Sequence, residues 1–408
     1  MTAELAIEHD VEVSSEELVS RARGLRQQLI DDQAAAEERT TYSPELHVAF
    51  EEAGFYRMLI PRRFGGLEVG LPTFQRVMIE IGRGSLGAAW GLCLTANHAL
   101  QVGSWFGEQA QEELLAGAGF RAASVAAPTV RAERVPGGYR LTGQVAYCSG
   151  IPYSTHFMGQ AVLASPDDGE PTMILYVAPE SAFTRLGVWG TLAGLKSTGS
   201  DTIRFDSAFV PEHLVIEGVD MVDYPAEHGA PGVELNRNPM YGGRALTIFT
   251  LSLAGPIVGG AYSALDEYAN WMRAKPAMFP PFLPRTEDPD HQRHYGAALA
   301  RIGMAEATVL QAAEEWMQLC RDNAAGIRPF TQREDFRLAS VVREACVVAH
   351  EAVEQELLRT IGSSALGEGQ RFERAFRDFG QVAGHRNLAL REQMYRLVAT
   401  LELGVEQP

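Results

Sequence analysis

The chain has little positive charge and few cysteines, and both shortages narrow its possible functions. Lysine and arginine number 35 against 52 aspartates and glutamates, so the formal net charge is −17 at pH 7. Binding to nucleic acid or to an anionic membrane surface needs a basic face, which this composition disfavours. The cysteines form no CxxC pair, and their apolar neighbours predict buried free thiols. They are Cys93, Cys148, Cys320 and Cys346.

Signals of several other protein classes are also missing. No apolar run approaches the length expected of a membrane span. The acidic N-terminus, "MTAELAIEHDVEVSSEEL", lacks the basic and then apolar pattern of a signal peptide, so we expect a cytoplasmic protein. No Walker A or GxSxG motif occurs. The segment "GAGFRA" fits GxGxxA, but it precedes a strand pattern where a nucleotide-binding loop would follow one.

One segment, "DPDHQRH", carries possible metal ligands in Asp288, Asp290, His291 and His294. Carboxylate and imidazole groups at such spacing could bind a metal ion. The surrounding sequence is polar and rich in proline, which favours a solvated loop. We therefore expect no metal site.

The spacing of apolar residues predicts three regions of different secondary structure. Ser43 and Pro44 predict an N-cap and a first helical turn, and "GAAWGLCLTANHALQVGSWF" predicts a buried helix. Short β-rich runs separated by Gly, Pro and Asp then predict a small sandwich or barrel. Long helices follow a polar linker. The predicted domains are helical (1–119), β-rich (120–225) and a helical bundle (226–408).

The segment "GVWGTLAGLKSTGSDTIRFDSAFVPEHL" concentrates small polar residues before a strand pattern. Backbone amides and hydroxyls in such a segment can hold phosphate or ring atoms of a ligand. Thr198 and Ser200 are the side chains most suited to this. A polar hairpin without a ligand is the alternative.

Five segments, in order along the chain, resemble the acyl-CoA dehydrogenase superfamily. They are "IPRRFGGLEVG", "GGYRLTGQVAYCSG", "GTLAGLKSTGSDTIRFDSAFVPE", "GPIVGGAYSALDEYANWMR" and "FERAFRDFGQVAGH". The resemblance implies an α+β, mostly α fold. Its parts are an N-terminal helical domain, a central β-barrel or sandwich, and a C-terminal four-helix bundle. Such proteins are usually flavin-binding homotetramers, and the long apolar face of "LASVVREACVVAHEAVEQELL" also favours a homotetramer.

The chain departs from the dehydrogenases at the catalytic base. A dehydrogenase needs a carboxylate to remove the α-proton of its substrate. Family members carry it shortly after the late "RD" pair, where this sequence has His385 and Arg386, or at the start of the bundle. No acidic residue lies between Glu234 and Asp266. Both positions lack a carboxylate, which argues against dehydrogenase activity.

The same segments resemble a branch of two-component flavin-dependent monooxygenases, typified by p-hydroxyphenylacetate hydroxylase and dibenzothiophene monooxygenase. Their "GRWxFxSG" motif corresponds to "GQVAYCSG", in which Tyr147 is the aromatic, Ser149 is kept and Val145 replaces tryptophan. The resemblance implies that reduced FMN or FAD reacts with O2 to give a C4a-hydroperoxyflavin. A separate NAD(P)H:flavin reductase would supply the reduced flavin.

The resemblance implies catalytic roles for Ser149, His98 and His385. Ser149 would hydrogen-bond the flavin N5–H. The histidines, one of them matched together with Trp90, would bond the peroxide or take a substrate proton near neutral pH. Both histidines lie in apolar helical segments, so a role in core packing is the alternative.

The resemblance also implies flavin contacts. Arg273 would reach the flavin phosphates, and "IGSSAL" would contact a phosphate across a subunit interface. An exposed charge at a helix end and a helix C-cap are the respective alternatives. The predicted cofactor-binding residues are Ser149, Trp189, Thr198, Ser200, Arg273, Gly362, Ser363 and Ser364.

The sequence thus predicts the oxygenase component of a monooxygenase that hydroxylates an aromatic or polyketide-like small molecule. N- or S-oxygenation of an amino sugar or heteroaromatic is the second possibility. A non-catalytic flavin-fold binding subunit is a third, which the retained histidines and Ser149 disfavour. The polar linkers 222–245 and 275–294 are expected to shape the substrate entrance.

Overall fold

The fold follows the order helices, sheet, helices. A computed structural model describes residues 13–164, 170–226, 229–278 and 280–405. Most of the acidic N-terminal segment, on which the expectation of no signal peptide was based, lies outside the described residues. The four cysteines are buried free thiols, as predicted.

From residue 13 onward, six α-helices form the N-terminal region, and side-chain caps fix several of their first turns. Ser14 Oγ accepts from Glu17 N at 3.2 Å, and Ser43 Oγ accepts from Leu46 N at 3.2 Å. Each bond satisfies one of the free amide groups at a helix start. The helices are α1 (Ser15–Gly24), α2 (Arg26–Arg39), α3 (Pro44–Glu52), α4 (Leu71–Gly84), α5 (Leu86–Trp105) and α6 (Glu108–Leu115).

Helix α5 is the central helix of this region. The apolar sequence predicted a buried helix, and every residue from Leu86 to Trp105 is buried except Leu94. A helix that is apolar on all sides must be covered on all sides. Helix α5 accordingly packs against α4, against the sheet and against the C-terminal helices.

Seven strands form one mixed sheet in the order β5-β6-β2-β1-β3-β4-β7. Among the described residues, only the β1–β3 pair is parallel. Strands β5 and β7 have two and three residues, too few to give a periodic pattern in the sequence. The strands are β1 (Ala122–Val135), β2 (Gly138–Cys148), β3 (His156–Leu163), β4 (Thr172–Pro179), β5 (Thr184–Arg185), β6 (Asp201–Pro211) and β7 (Val215–Glu217).

The sheet curls back on itself. Tyr176 on β4 and Phe205 on β6 have ring centroids 5.7 Å apart, although three strands lie between β4 and β6. In a flat sheet these strands would be about 19 Å apart, at about 4.8 Å for each neighbouring pair. The curvature encloses an apolar core between the two halves of the sheet, in agreement with the predicted sandwich or barrel.

The C-terminal region is a helical bundle. A π-helical turn, Ala352–Leu358, continues α10 into α11, and the last part of the bundle consists of the shorter helices α12, α13 and α14. The helices are α7 (Pro231–Asn236), α8 (Ala245–Ala274), α9 (Pro289–Ala324), α10 (Gln332–Glu351), α11 (Arg359–Ile361), α12 (Arg371–Ala383), α13 (Arg386–Ala389) and α14 (Arg391–Leu403).

The segment "DPDHQRH" is the first turn of α9, so the predicted solvated loop is wrong. Asp288 caps the helix, because its Oδ1 accepts from His291 N at 3.0 Å, and Pro289 takes the first helical position. His291 and His294 bond the carboxylates of Asp288 and Glu356 at 2.7 and 2.8 Å.

Helix α8 corrects the expectation that no apolar run approaches the length of a membrane span. By length and hydropathy, Ala245–Ala274 is long and apolar enough to cross a bilayer. The structure buries 89% of its most apolar stretch inside the fold. The apolar sequence is therefore accounted for by its place at the centre of the bundle.

The loop before β6 lies directly on α12, and Gly194 makes this approach possible. A Cβ atom at Gly194 would lie 2.0 Å from Arg377 O and 2.8 Å from Asp378 N. Both atoms belong to helix backbone, which cannot move as a flexible side chain would. Any larger residue at position 194 must therefore push the loop off the helix.

We expect Gly194→Ala to destabilise the protein by about 1–3 kcal/mol, the usual range for overpacking. Gly380→Ala is the matched control, because Gly380 lies within α12 with no atom near its Cβ position. The control should be neutral or stabilising by up to about 1 kcal/mol, since alanine favours helix. Urea denaturation measures both. Equal stability of the two variants would contradict the described contact.

Candidate active site

A chain of hydrogen bonds links α5 to the loop before β6. Trp90 Nε1 donates to Ser149 Oγ at 3.2 Å, and Ser149 Oγ lies 2.7 Å from Ser200 Oγ. Ser200 Oγ lies 2.6 Å from Thr198 Oγ1, which donates to Leu195 O at 2.8 Å. All four side chains are buried. The structure thus brings together three of the predicted site residues, Ser149, Thr198 and Ser200.

The two ends of this chain fix the direction of every proton in it. An indole N–H can only donate, and a carbonyl oxygen can only accept. Thr198 therefore gives its proton to Leu195 O, Ser200 gives its proton to Thr198, and Ser149 gives its proton to Ser200. One lone pair on Ser149 Oγ stays free to accept from a further N–H group.

This free lone pair fits a reduced flavin, whose N5 atom carries a hydrogen. The protons of Thr198 and Ser200 are already engaged in the chain. Their direct contact with a cofactor therefore stays a prediction, while their support of Ser149 is visible in the structure.

Asp378 anchors the far end of the chain from α12. Its Oδ1 accepts from Leu195 N at 2.6 Å. Leu195 therefore accepts the last hydroxyl bond through its carbonyl and is held by the Asp378 carboxylate through its amide. Burial raises the pKa of Asp378 to about 7. This bond leaves no pattern in the sequence, because the amide that Asp378 accepts from is 183 positions away.

His385 lies next to Trp90. The ring centroids are 5.1 Å apart and the planes meet at 85°. His385 Nδ1 accepts from Asn387 N at 3.3 Å, which places the ring proton on Nε2. Burial, and then the positive charge of Arg386, lowers the pKa of His385 to about 4. At neutral pH this side chain is an uncharged N–H donor.

His98 has the opposite tautomer. Its Nδ1 lies 2.7 Å from Ala122 O, and since a carbonyl can only accept, Nδ1 carries the proton. Nε2 is therefore an acceptor. Burial lowers the pKa of His98 to about 4. At neutral pH His385 can therefore donate through Nε2, and His98, two helical turns from Trp90 on α5, can accept through Nε2.

An exposed aromatic surface lies close to Ser149. The side chain of Tyr147 is 59% exposed, and its ring meets that of Trp189 edge to face at 5.8 Å. Trp189 is itself held by a bond from its Nε1 to Lys196 O at 3.0 Å. A planar apolar ring could cover this surface, and the flavin contact of Trp189 stays a prediction.

The remaining predicted cofactor residues lie elsewhere in the chain. Arg273 is exposed near the end of α8, about 20 Å along the helix axis from Gly260, which packs on Leu86 at the start of α5. Gly362, Ser363 and Ser364 follow α11, which is near the same end of α8 because Thr360 bonds Tyr268 at 2.7 Å. A role toward the cofactor of a neighbouring subunit stays a prediction for these four residues.

The fold and this arrangement define a class of protein, and comparison with family models identifies it. The acyl-CoA dehydrogenase N-terminal domain matches residues 14–117, and the acyl-CoA dehydrogenase C-terminal domain matches residues 251–389. The two matches follow the family order and together cover more than half of the chain. The chain belongs to the acyl-CoA dehydrogenase family.

Characterised relatives within this family are hydroxylases and oxygenase components. A pigment production hydroxylase from Rhodococcus sp. is 26% identical over 98% of this chain and 100% of its own. The flavin-dependent monooxygenase oxygenase subunit HsaA from Rhodococcus jostii is 31% identical, over 54% of this chain and 56% of its own. The p-hydroxyphenylacetate 3-hydroxylase oxygenase component from Acinetobacter baumannii is 26% identical, over 52% and 50%. The chain spans only about half the length of the latter two.

Solved structures share the fold along nearly the whole chain. The 3-HSA hydroxylase from Rhodococcus sp. RHA1 has a TM-score of 0.85 and 24% identity, covering 96% of this chain and 98% of its own. XiaF from Streptomyces sp., in complex with FADH2 and glycerol, has a TM-score of 0.85 and 23% identity, covering 96% of each. TdsC from Paenibacillus sp. A11-2, with FMN and indole, has a TM-score of 0.74 and 21% identity, covering 96% and 98%.

Proposed function

We propose that this protein is the oxygenase component of a two-component flavin-dependent monooxygenase that hydroxylates an aromatic or polyketide-like small molecule. The observations that carry the proposal are the free acceptor lone pair of Ser149 and the opposite tautomers of the two neutral histidines. Bound reduced flavin would supply the activation of O2. The protein's own side chains would orient it and move protons.

Each side chain has a role that its hydrogen bonds allow. Ser149 Oγ accepts the N–H of the reduced flavin ring. His385 donates through Nε2 toward the reacting oxygen without adding a charge to the buried site. His98 accepts through Nε2 the proton of a substrate hydroxyl, as a general base. Burial of Ser149 and His98, and partial burial of His385, limits the access of water, which would otherwise compete for the activated oxygen.

The dehydrogenase alternative lacks its base. His385 stands at one of the two positions where the family carries a catalytic carboxylate, and the first part of α8 has no acidic residue up to Asp266. The chain can therefore bind a flavin in this fold without being able to remove an α-proton from an acyl thioester.

The cofactor is reduced FMN or FAD, delivered by a separate NAD(P)H:flavin reductase. Two structural neighbours support either flavin, since one was solved with FADH2 and another with FMN. The relatives that are named as oxygenase components support a separate reductase. Arg273 and the segment 362–364 are the candidates for phosphate contacts.

Turnover with isotopically labelled O2 tests the proposal. The protein, a flavin reductase and NAD(P)H are incubated with phenols such as resorcinol and p-hydroxyphenylacetate, and product mass is measured. We expect one labelled oxygen atom on a ring carbon of the product. A label on nitrogen or sulfur of other probes would favour the second possibility. Flavin reduction by an acyl-CoA, with no label in any product, would establish a dehydrogenase.

Replacing His385 should uncouple oxygen use from hydroxylation. We expect His385→Ala to lower product formation about 10²-fold, the usual effect of losing a positioned acid–base group, and to raise release of hydrogen peroxide. Flavin affinity should change little, because the hydroxyl chain stays intact. His47→Ala is the control, since His47 bonds Tyr56 in the N-terminal region. Normal coupling in His385→Ala would make the residue structural.

A homotetramer is the proposed assembly, and the surface of the bundle supports association with further copies of the chain. Met304 on α9 is 56% exposed and Val341 on α10 is 38% exposed, and they flank an apolar groove of about 310 Å³. Ala345 and Val348 extend the groove along α10. Apolar surface of this kind favours an interface with another protein.

Light scattering at micromolar concentration should give the mass of four chains. Met304→Glu together with Val341→Glu should shift the protein toward smaller species, because two charges would be buried in the interface. A wild-type protein that scatters as a monomer would refute the proposed assembly.

A further inference from the structure

Asp201 is a buried carboxylate whose hydrogen bonds go to backbone amides. It is the first residue of β6 and is only 8% exposed. Its Oδ2 accepts from Gly187 N at 2.8 Å, and its Oδ1 accepts from Val188 N at 2.9 Å and from Thr202 N at 2.8 Å. Hydrogen bonds to an ionised carboxylate are stronger than those between neutral groups. Asp201 therefore fixes the backbone directly before Trp189.

The segment that Asp201 holds is a loop with a glycine on each side. Gly187 and Gly190 have φ angles of +66° and +103°, which glycine adopts without strain. Between them, Val188 is 56% exposed and Trp189 is only partly buried. A loop with two glycines and an exposed apolar residue has few contacts that keep it in one conformation. The two amide bonds to Asp201 compensate for this.

The loop presents an apolar ring that folding alone does not require at the surface. Trp189 Nε1 donates to Lys196 O at 3.0 Å, and the Trp189 ring meets the exposed ring of Tyr147 at 5.8 Å. Tyr147 is two residues before Ser149 in the chain. Apolar side chains that lie together at a protein surface mark a binding site. Two rings near the free lone pair of Ser149 suit a flat ligand that carries an N–H group.

Two adjacent residues support both parts of this arrangement. Ser200 and Asp201 follow one another where β6 begins. Ser200 Oγ bonds Ser149 Oγ, whereas the Asp201 carboxylate bonds the amides that precede Trp189. The position of the ring surface relative to the Ser149 acceptor is therefore set within one short piece of backbone.

We propose that Asp201 is a positioning residue that orients Trp189, beside Tyr147, as a stacking surface for a flat aromatic ring. In the proposed function this ring belongs to the flavin, so the identity of the ligand rests on the proposed function. The orientation of Trp189 by Asp201 does not. Stacking depends on the distance and angle between two rings. A mobile tryptophan would bind a ring less tightly, because binding would have to order the side chain first.

Asp201→Asn tests this role with almost no change in size. The NH2 group of asparagine cannot accept from a backbone amide, so at least one of the bonds to the loop is lost. Asp206→Asn is the matched control, because Asp206 is an exposed residue of the same strand. Urea denaturation checks that both variants are folded under the conditions of the measurements below.

Quenching of fluorescence by acrylamide measures the order of Trp189 in the full-length protein without flavin. The Trp189 signal is the difference between each protein and the same protein carrying Trp189→Phe. Asp201→Asn should raise the quenching constant of Trp189 about twofold or more, because the loop opens more often. Asp206→Asn should leave the constant at its wild-type value.

Anaerobic titration with reduced FMN then measures the effect on ring binding. Asp201→Asn should weaken binding about 10-fold, the effect of losing one hydrogen bond to a charged group. In a Trp189→Ala background the same substitution should change the affinity by less than about twofold, because the side chain that Asp201 orients is gone. Asp206→Asn should have no effect in either background.

The outcomes separate the positioning role from the reaction. An unchanged quenching constant of Trp189 in Asp201→Asn overturns the role. An equal loss of FMN affinity with and without Trp189 would show general structural damage and also overturns it. If the wild-type protein binds no reduced FMN, the proposed function fails and the quenching result alone decides the role of Asp201. A Trp189-dependent loss of FMN affinity, without oxygenation of any phenol, would refute the proposed function and leave the role standing.

Discussion

The hydrogen-bond chain from Trp90 to Asp378 is the interaction on which the rest of the site depends. It begins on α5, crosses the β-domain through Ser149 and Ser200, and ends on α12 through the Leu195 peptide. The three regions of the fold therefore meet in one set of bonds. The contact of His385 with Trp90 closes the set into a ring, because α12 leads directly to His385. Displacing one region would break its contacts with the other two.

Ionisable groups around this ring are shifted toward their uncharged forms, and burial is the main cause each time. The pKa falls to about 4 for His98 and His385 and rises to about 7 for Asp378. Water is largely excluded, so hydrogen bonds here are stronger than they would be at the surface. The same exclusion of water makes a buried polar atom without a hydrogen-bond partner costly, and, within the described part of the chain, Asn97 and Gln101 on α5 carry such atoms.

Much of the fold could be predicted from the sequence, because its signals are local. The caps at Ser14 and Ser43, the apolar run of α5 and the five longer strands follow from neighbours a few residues apart. The site could be predicted less completely than the fold. The bond between Asp378 and Leu195, and the opposite tautomers of the two histidines, depend on backbone groups that only the tertiary structure brings near. Family resemblance pointed to His98 and His385 without showing which nitrogen of each carries the proton.

The fixed proton direction in the hydroxyl chain has a consequence for the redox state of the bound cofactor. In the proposed position, Ser149 faces the flavin N5 atom with a lone pair. The reduced ring presents a hydrogen there, whereas the oxidised ring presents a second lone pair. To bond the oxidised ring, Ser149 would have to give up its bond to Ser200, at a cost of about 1 kcal/mol. These hydrogen bonds would thus favour binding of the reduced ring and release of the oxidised ring. That is the direction of exchange needed by a cofactor that moves between two proteins.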